Sequence, residues 1–158
     1  MMRQVLGFSI LIIASCGQSI SLRENEKVII IDDVNKTLDN YYNDIRNFGL
    51  TAEFKYLDNS IDFFWVPPGY SSAISYDSVA TILKQDAPKF KFVDNIFDTL
   101  RIIPLSKELA TYTGRLHSTM TDTSNRILTF EMVETGVLIK RKEGWKLLSG
   151  QTSILNND

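Results

Sequence analysis

Three ionisable side chains in the second half of the chain, Asp98, His117 and Glu134, are those whose setting bears on proton-transfer chemistry. Such chemistry needs a histidine beside a carboxylate, or a carboxyl group desolvated until it holds its proton near neutrality. His117 is the single histidine of the 158 residues. It alternates with Thr111, Thr113, Arg115 and Thr119, whereas Ala110, Tyr112, Gly114, Leu116 and Met120 form the opposite, apolar side. In a β-strand these two sets face opposite ways, so His117 is expected at solvent or a partner subunit. Asp98 shares its phase with Leu100 and Ile102, which would make it an acid on an apolar face and a candidate base. The adjacent Asp94 and Asn95 favour a solvated strand end instead. Glu134 runs in phase with Phe130, Met132 and Leu138, and Glu131 with Ile127, Val133, Val137 and Ile139. A strand apolar on both faces is covered on both. Glu134 is then a pocket carboxylate or, the favoured expectation, half of a structural ion pair with an Arg or His.

Other chemistries find little support. One histidine and one cysteine offer no metal-ligand set, and neither a glycine-rich phosphate loop nor a nucleophile elbow occurs. Neither cofactor nor metal is expected. The net charge is −2 with acids and bases interspersed, which argues against a nucleic-acid partner.

Cys16 has a different use. Arg3 precedes the apolar stretch Val5 to Ile13, and Ala14 and Ser15 lead into the cysteine. That stretch is too short to span a bilayer, and Ile13-Ala14-Ser15-Cys16 has the form of a bacterial lipoprotein cleavage box. The expectation is a leader over residues 1–15, a lipidated Cys16 on a tether to residue 27, a domain over 28–154 and a polar tail over 155–158. Lipidation also explains a lone thiol in an oxidising compartment. Localisation would then be the cell envelope, with the protein anchored to a membrane.

The elements that must position these residues follow from periodicity. Val28, Ile31, Leu38, Tyr41, Tyr42, Ile45 and Phe48 mark an amphipathic helix closed by Gly49. Leu50, Phe54 and Leu57 suggest a shorter helix ended at Asp58-Asn59-Ser60, and Asp62 to Val66 a short strand stopped by Pro67-Pro68-Gly69. Ser75 is an N-cap for a third helix that Pro88 ends. Alternating segments Phe90 to Ile103, Leu109 to Met120 and Arg126 to Lys142 follow, with a hairpin at Glu143-Gly144 into Trp145 to Ile154. Helices first and a long meander afterwards means α+β, with helices on one face of the sheet.

This order, with the ending Gly136 to Ser153 (GVLIKRKEGWKLLSGQTS), resembles the nuclear-transport-factor-2-like superfamily and in particular its SnoaL-like branch. In that family the last strand often finishes His-x-Ser, and here the triplet is Gln151-Thr152-Ser153. The resemblance covers about residues 28 to 154. It implies a cone in which a strongly curved antiparallel sheet wraps the long helix, with two shorter helices, and leaves a pocket open at one end. It also implies a homodimer through the outer face of the sheet, so that one of Glu131 and Glu134 lies at the pocket and the other at the subunit contact. Members of the family serve as isomerases, dehydratases, ligand binders or scaffolds, and the fold alone does not choose among them. The pocket residues implied are Tyr41, Trp65, Tyr112, Met132, Glu134, Gln151 and Ser153, with Trp145 as a further aromatic. A glutamine in place of the terminal histidine moves the expectation from catalysis to binding of a small hydrophobic or amphipathic molecule.

Overall fold

The computed structural model describes residues 21–155. The leader 1–15, Cys16 with the tether to residue 20, and the tail 156–158 lie outside the described residues. Helix α1 spans Glu24–Phe48 and begins four residues earlier than the apolar stripe implies. The Arg23 backbone N–H donates to Glu26 at 2.9 Å, and Lys107 pairs with the same carboxylate at 2.9 Å. This cap draws residues 24–27, expected in the tether, into the domain. The buried face is Ile30, Val34, Leu38, Tyr41, Tyr42 and Ile45, at i+3 and i+4 spacing. Val28 and Phe48, which the sequence assigned to this face, are instead exposed at 56% and 74%.

A 3-10 helix, Leu50–Lys55, follows Gly49, whose φ of 83° lies in the left-handed region. Strand β1 is Phe64–Val66, helix α2 is Tyr76–Asp86 with Ser75 as its N-cap, and the meander is β2 Phe90–Pro104, β3 Leu109–Asp122, β4 Ile127–Arg141 and β5 Gly144–Ile154. The sheet order is β1-β5-β4-β3-β2. The meander is antiparallel, but β1 adds to the β5 edge in parallel, with Trp65 opposite Gly150. An α+β fold with a curled five-stranded sheet closing on the N-terminal helix is thus the architecture.

Three register shifts shape the curl, one of them between Phe90 and Phe92 at the start of β2, because an extra residue in one strand bends it and increases its twist. In β2 the register jumps between Phe97 and Thr99, leaving Asp98 as the extra residue. In β5, Leu147 and Ser149 face the consecutive residues Leu138 and Val137, so Leu148 is the extra one. Each bulge exchanges the inward and outward sets beyond it.

Glycine is needed where rings lie against the sheet. A Cβ on Gly150 would stand 2.6 Å from the Trp65 ring and 2.5 Å from the Thr135 carbonyl oxygen. Gly150→Ala is therefore expected to displace Trp65 and the β1 edge and to destabilise the fold by about 2 kcal/mol. Urea unfolding followed by tryptophan fluorescence reads both effects.

Candidate functional site

Between the concave face of the sheet, α1, α2 and the 3-10 helix lies a cavity of about 370 Å³. That is within the usual range for small-molecule sites. Its wall is mostly apolar and aromatic, with Tyr41, Tyr42, Phe63, Trp65, Phe90, Leu116 and Met132 among the lining side chains.

Glu134 sits in this wall at 6% exposure. It lies opposite Thr152 of β5 and Gly114 of β3. The Tyr42 and Tyr112 hydroxyls donate to its Oε1 at 2.7 and 2.6 Å. Thr152 Oγ1 donates to Oε2 at 2.9 Å and accepts from Trp65 Nε1 at 3.3 Å. An indole N–H only donates, so the direction of this chain is set: Trp65 to Thr152 to Glu134. Four elements, α1, β1, β3 and β5, thus converge on one carboxyl group of β4. Burial holds the Glu134 carboxyl above its ordinary value, and the three hydroxyl donors act against that rise. The same burial, beside a carboxylate, puts the Tyr42 and Tyr112 phenols well above theirs.

A second carboxyl, Glu53 of the 3-10 helix, faces the same space. Burial pushes it up to about 8; Glu134 adds to the rise and the nearby Tyr41 hydroxyl opposes it. The sequence reading missed Glu53. Its signal was present, because Leu50, Glu53 and Leu57 are spaced i, i+3, i+7 and put a carboxyl on the apolar face of that turn. The third acid on the wall, Asp86, is paired with Lys89 at 2.5 Å. Asn95, between Val93 and Phe97, also lines the cavity, and its buried Oδ1 has no hydrogen-bond partner among the described residues.

The remaining expected site residues fall as follows. Tyr41, Trp65 and Met132 line the cavity, whereas Tyr112 grips Glu134 without lining it. Trp145 packs in the core under Lys140 Nζ, 5.5 Å from its ring. Gln151 and Ser153 are exposed on the outer face, a correction with a clear cause. Trp145 and Leu147 point inward, the bulge at Leu148 reverses the phase, and Thr152 turns in instead. Asp98 is exposed for the same reason: it is the bulged residue, so Phe97 before it and Leu100 after it both pack on the core. Among the described residues no ion pair holds Glu134; hydroxyl groups take the place of the expected Arg or His. His117 lies on the outer face with Nδ1 2.7 Å from Glu131, whose other oxygen accepts from Arg115 at 3.1 Å. Hydrogen bonds from His117 and Arg115 hold the Glu131 carboxyl below its usual range. Among the described residues no group of His, Cys, Asp and Glu could hold a metal ion.

Solved structures share this architecture. A nuclear transport factor 2-like superfamily protein from Salmonella enterica superposes with a TM-score of 0.70 at 12% identity, covering 82% of this chain and 94% of that one. A hexachlorocyclohexane dehydrochlorinase of type 2 gives 0.68 at 9% identity, covering 85% and 90%. A protein with a cystatin-like fold from Caulobacter vibrioides gives 0.65 at 14%, covering 81% and 91%. At these identities the likeness is one of fold. No curated protein matches the chain. The SnoaL-like domain matches residues 34–157, which takes in α1 from Val34 onward, the meander and every residue of the cavity wall. The chain therefore belongs to the SnoaL-like domain family, within the nuclear-transport-factor-2-like fold.

Proposed function

We propose that this domain binds a small, largely apolar molecule in the cavity and that the chain is held at the envelope membrane by acylation of Cys16. The observation that carries the binding reading is the cavity of about 370 Å³, apolar over most of its wall and polar where Glu53, Glu134 and Asn95 meet it. A few convergent polar groups in an apolar recess fix the orientation of a ligand without demanding a reaction. Glu134 accepts from three protein hydroxyls, which suits a group that holds the wall in shape. Among the described residues no helix is long and apolar enough to cross a membrane, so the anchor in this reading is the acyl chain. Pairing through the outer face of the sheet, where Ile96, Ile103 and Ile127 are exposed at 55%, 42% and 66%, would make the working unit a homodimer.

Native mass spectrometry of the gently purified protein tests binding and pairing together. A dimer with added mass supports both; a monomer at working concentration removes the homodimer, and an empty protein on repeated preparation removes a retained ligand. Cys16→Ala is expected to abolish incorporation of labelled palmitate, and label that persists would overturn acylation at this residue.

Glu53 supports a second reading, proton-transfer catalysis on the bound molecule. A carboxyl group raised to about 8 in an apolar wall has the proton affinity of a general acid/base. On this reading turnover of a substrate falls by 100-fold or more in Glu53→Gln, whereas binding alone predicts no turnover to lose.

A further inference from the structure

The polar groups of the cavity are unbalanced. Among the described residues its charged lining residues are Glu53, Asp86 and Glu134, and neither lysine, arginine nor histidine lines it. Asp86 has Lys89, and Glu134 has its three hydroxyls. Glu53 is left with the Tyr41 hydroxyl and the unfavourable neighbour Glu134. Of the three carboxyls Glu53 alone has neither a cation nor a set of hydroxyl donors, so the cavity suits a ligand that donates to it. Tyr41, Tyr42 and Trp65 line the same space, rings that attract positive charge.

We propose that the ligand is an organic cation, a small apolar body carrying a protonated amine, whose ammonium group pairs with Glu53. This rests on the reading of the cavity as a ligand site. Three classes of ligand can be compared on the same groups. A carboxylate would bring negative charge beside Glu134 in a poorly solvated space. A neutral carbonyl compound accepts from a protonated Glu53 but brings no counter-charge to the acidic wall and nothing for the aromatic rings to attract. An ammonium supplies donors and a counter-charge at once. The accompanying proton step balances: R–NH3+ enters, the Glu53 carboxyl O–H bond breaks, its proton passes to the buffer and the ion pair remains, with no net change of charge in the complex. The titratable groups that act on Glu53 are Tyr41 from α1 and Glu134 from β4.

Isothermal titration of the purified full-length protein at pH 7 with a matched series tests it: 2-phenylethylammonium, 2-phenylethanol and 3-phenylpropionate, and the same three head groups on a naphthyl body. Runs in buffers of differing ionisation enthalpy count protons. The expected result is an ammonium dissociation constant at least tenfold below that of the matching alcohol, a carboxylate weaker than both, and release of close to one proton per ammonium bound. Glu53→Gln, checked for native circular dichroism, is expected to lose the ammonium preference and the proton release together. An alcohol or carboxylate that binds as tightly as the ammonium, or an ammonium preference that survives Glu53→Gln, overturns the cation assignment while leaving the cavity a ligand site. Absence of binding by every member at millimolar concentration overturns both.

Discussion

Glu134→Ala is expected to destabilise the domain by about 3 kcal/mol, the largest loss of any single polar substitution in the cavity wall. Glu134 is acceptor to the Tyr42, Tyr112 and Thr152 hydroxyls. Removing it strands three buried donors whose own elements pack around the same point. Each stranded group costs on the order of 1–3 kcal/mol. Because the site borders the cavity, water can enter and restore part of this, which holds the sum near the lower end of the combined range. Glu134→Gln separates charge from connectivity. Its Oε1 still accepts from both tyrosines, but its amide must donate to Thr152, whose oxygen already accepts from Trp65. The threonine proton then loses its acceptor, at a cost of about 1 kcal/mol. Urea denaturation of both variants, with Trp65 reporting on the cavity by fluorescence, gives the two numbers. Equal losses in the two would mean that the carboxylate charge, not the three-donor geometry, is what matters.

Glu53→Gln is expected to act in the opposite direction, and only at higher pH. The native carboxyl is raised from the ordinary 4.5 to about 8, so between these values the native state binds a proton that the unfolded chain does not. Stability therefore falls as pH rises through that window; the penalty is absent below about pH 4.5 and complete above about pH 8. The span between 4.5 and about 8 sets a ceiling of about 5 kcal/mol on the penalty. Relaxation and water entry through the cavity mouth reduce this to about 2 kcal/mol. Glutamine cannot ionise. The variant should match wild type at pH 5 and exceed it at pH 9 by about 2 kcal/mol, seen as a melting-temperature gain of roughly 6–8 °C. Parallel stability curves of the two proteins from pH 5 to 9 would show that the Glu53 carboxyl is solvated.

Both predictions rest on residues that the sequence exposes to different degrees. Long-period patterns were legible: helix stripes, alternating strands and the glycine hairpin are local, and local spacing reports which face an element buries. The ending of the chain, from Gly136 to Ser153, carried the family as well. Glu134 was placed among pocket candidates by its phase with Met132 and Leu138, residues within one strand. Its partners were not legible, since Tyr42 lies 92 residues away and reaches it only once the sheet curls over α1.

The places where the structure departs from the expected pocket lie at bulges. Gln151 and Ser153, expected there from the family resemblance, lie beyond the one in β5. Asp98, for which a solvated setting was the favoured expectation, is itself the extra residue in β2. A bulge inserts a single residue with no fixed sequence signature, and the exchange of faces becomes visible only against the register of the neighbouring strand. By itself the sequence determined the class of fold, the order of elements and which stretches are apolar, because those depend on contacts between near neighbours in the chain. Only the tertiary structure decided that Glu134 is held by hydroxyls, that Glu53 joins it across the cavity and that Thr152 rather than Gln151 turns inward, because these depend on curvature, which is a property of the whole sheet.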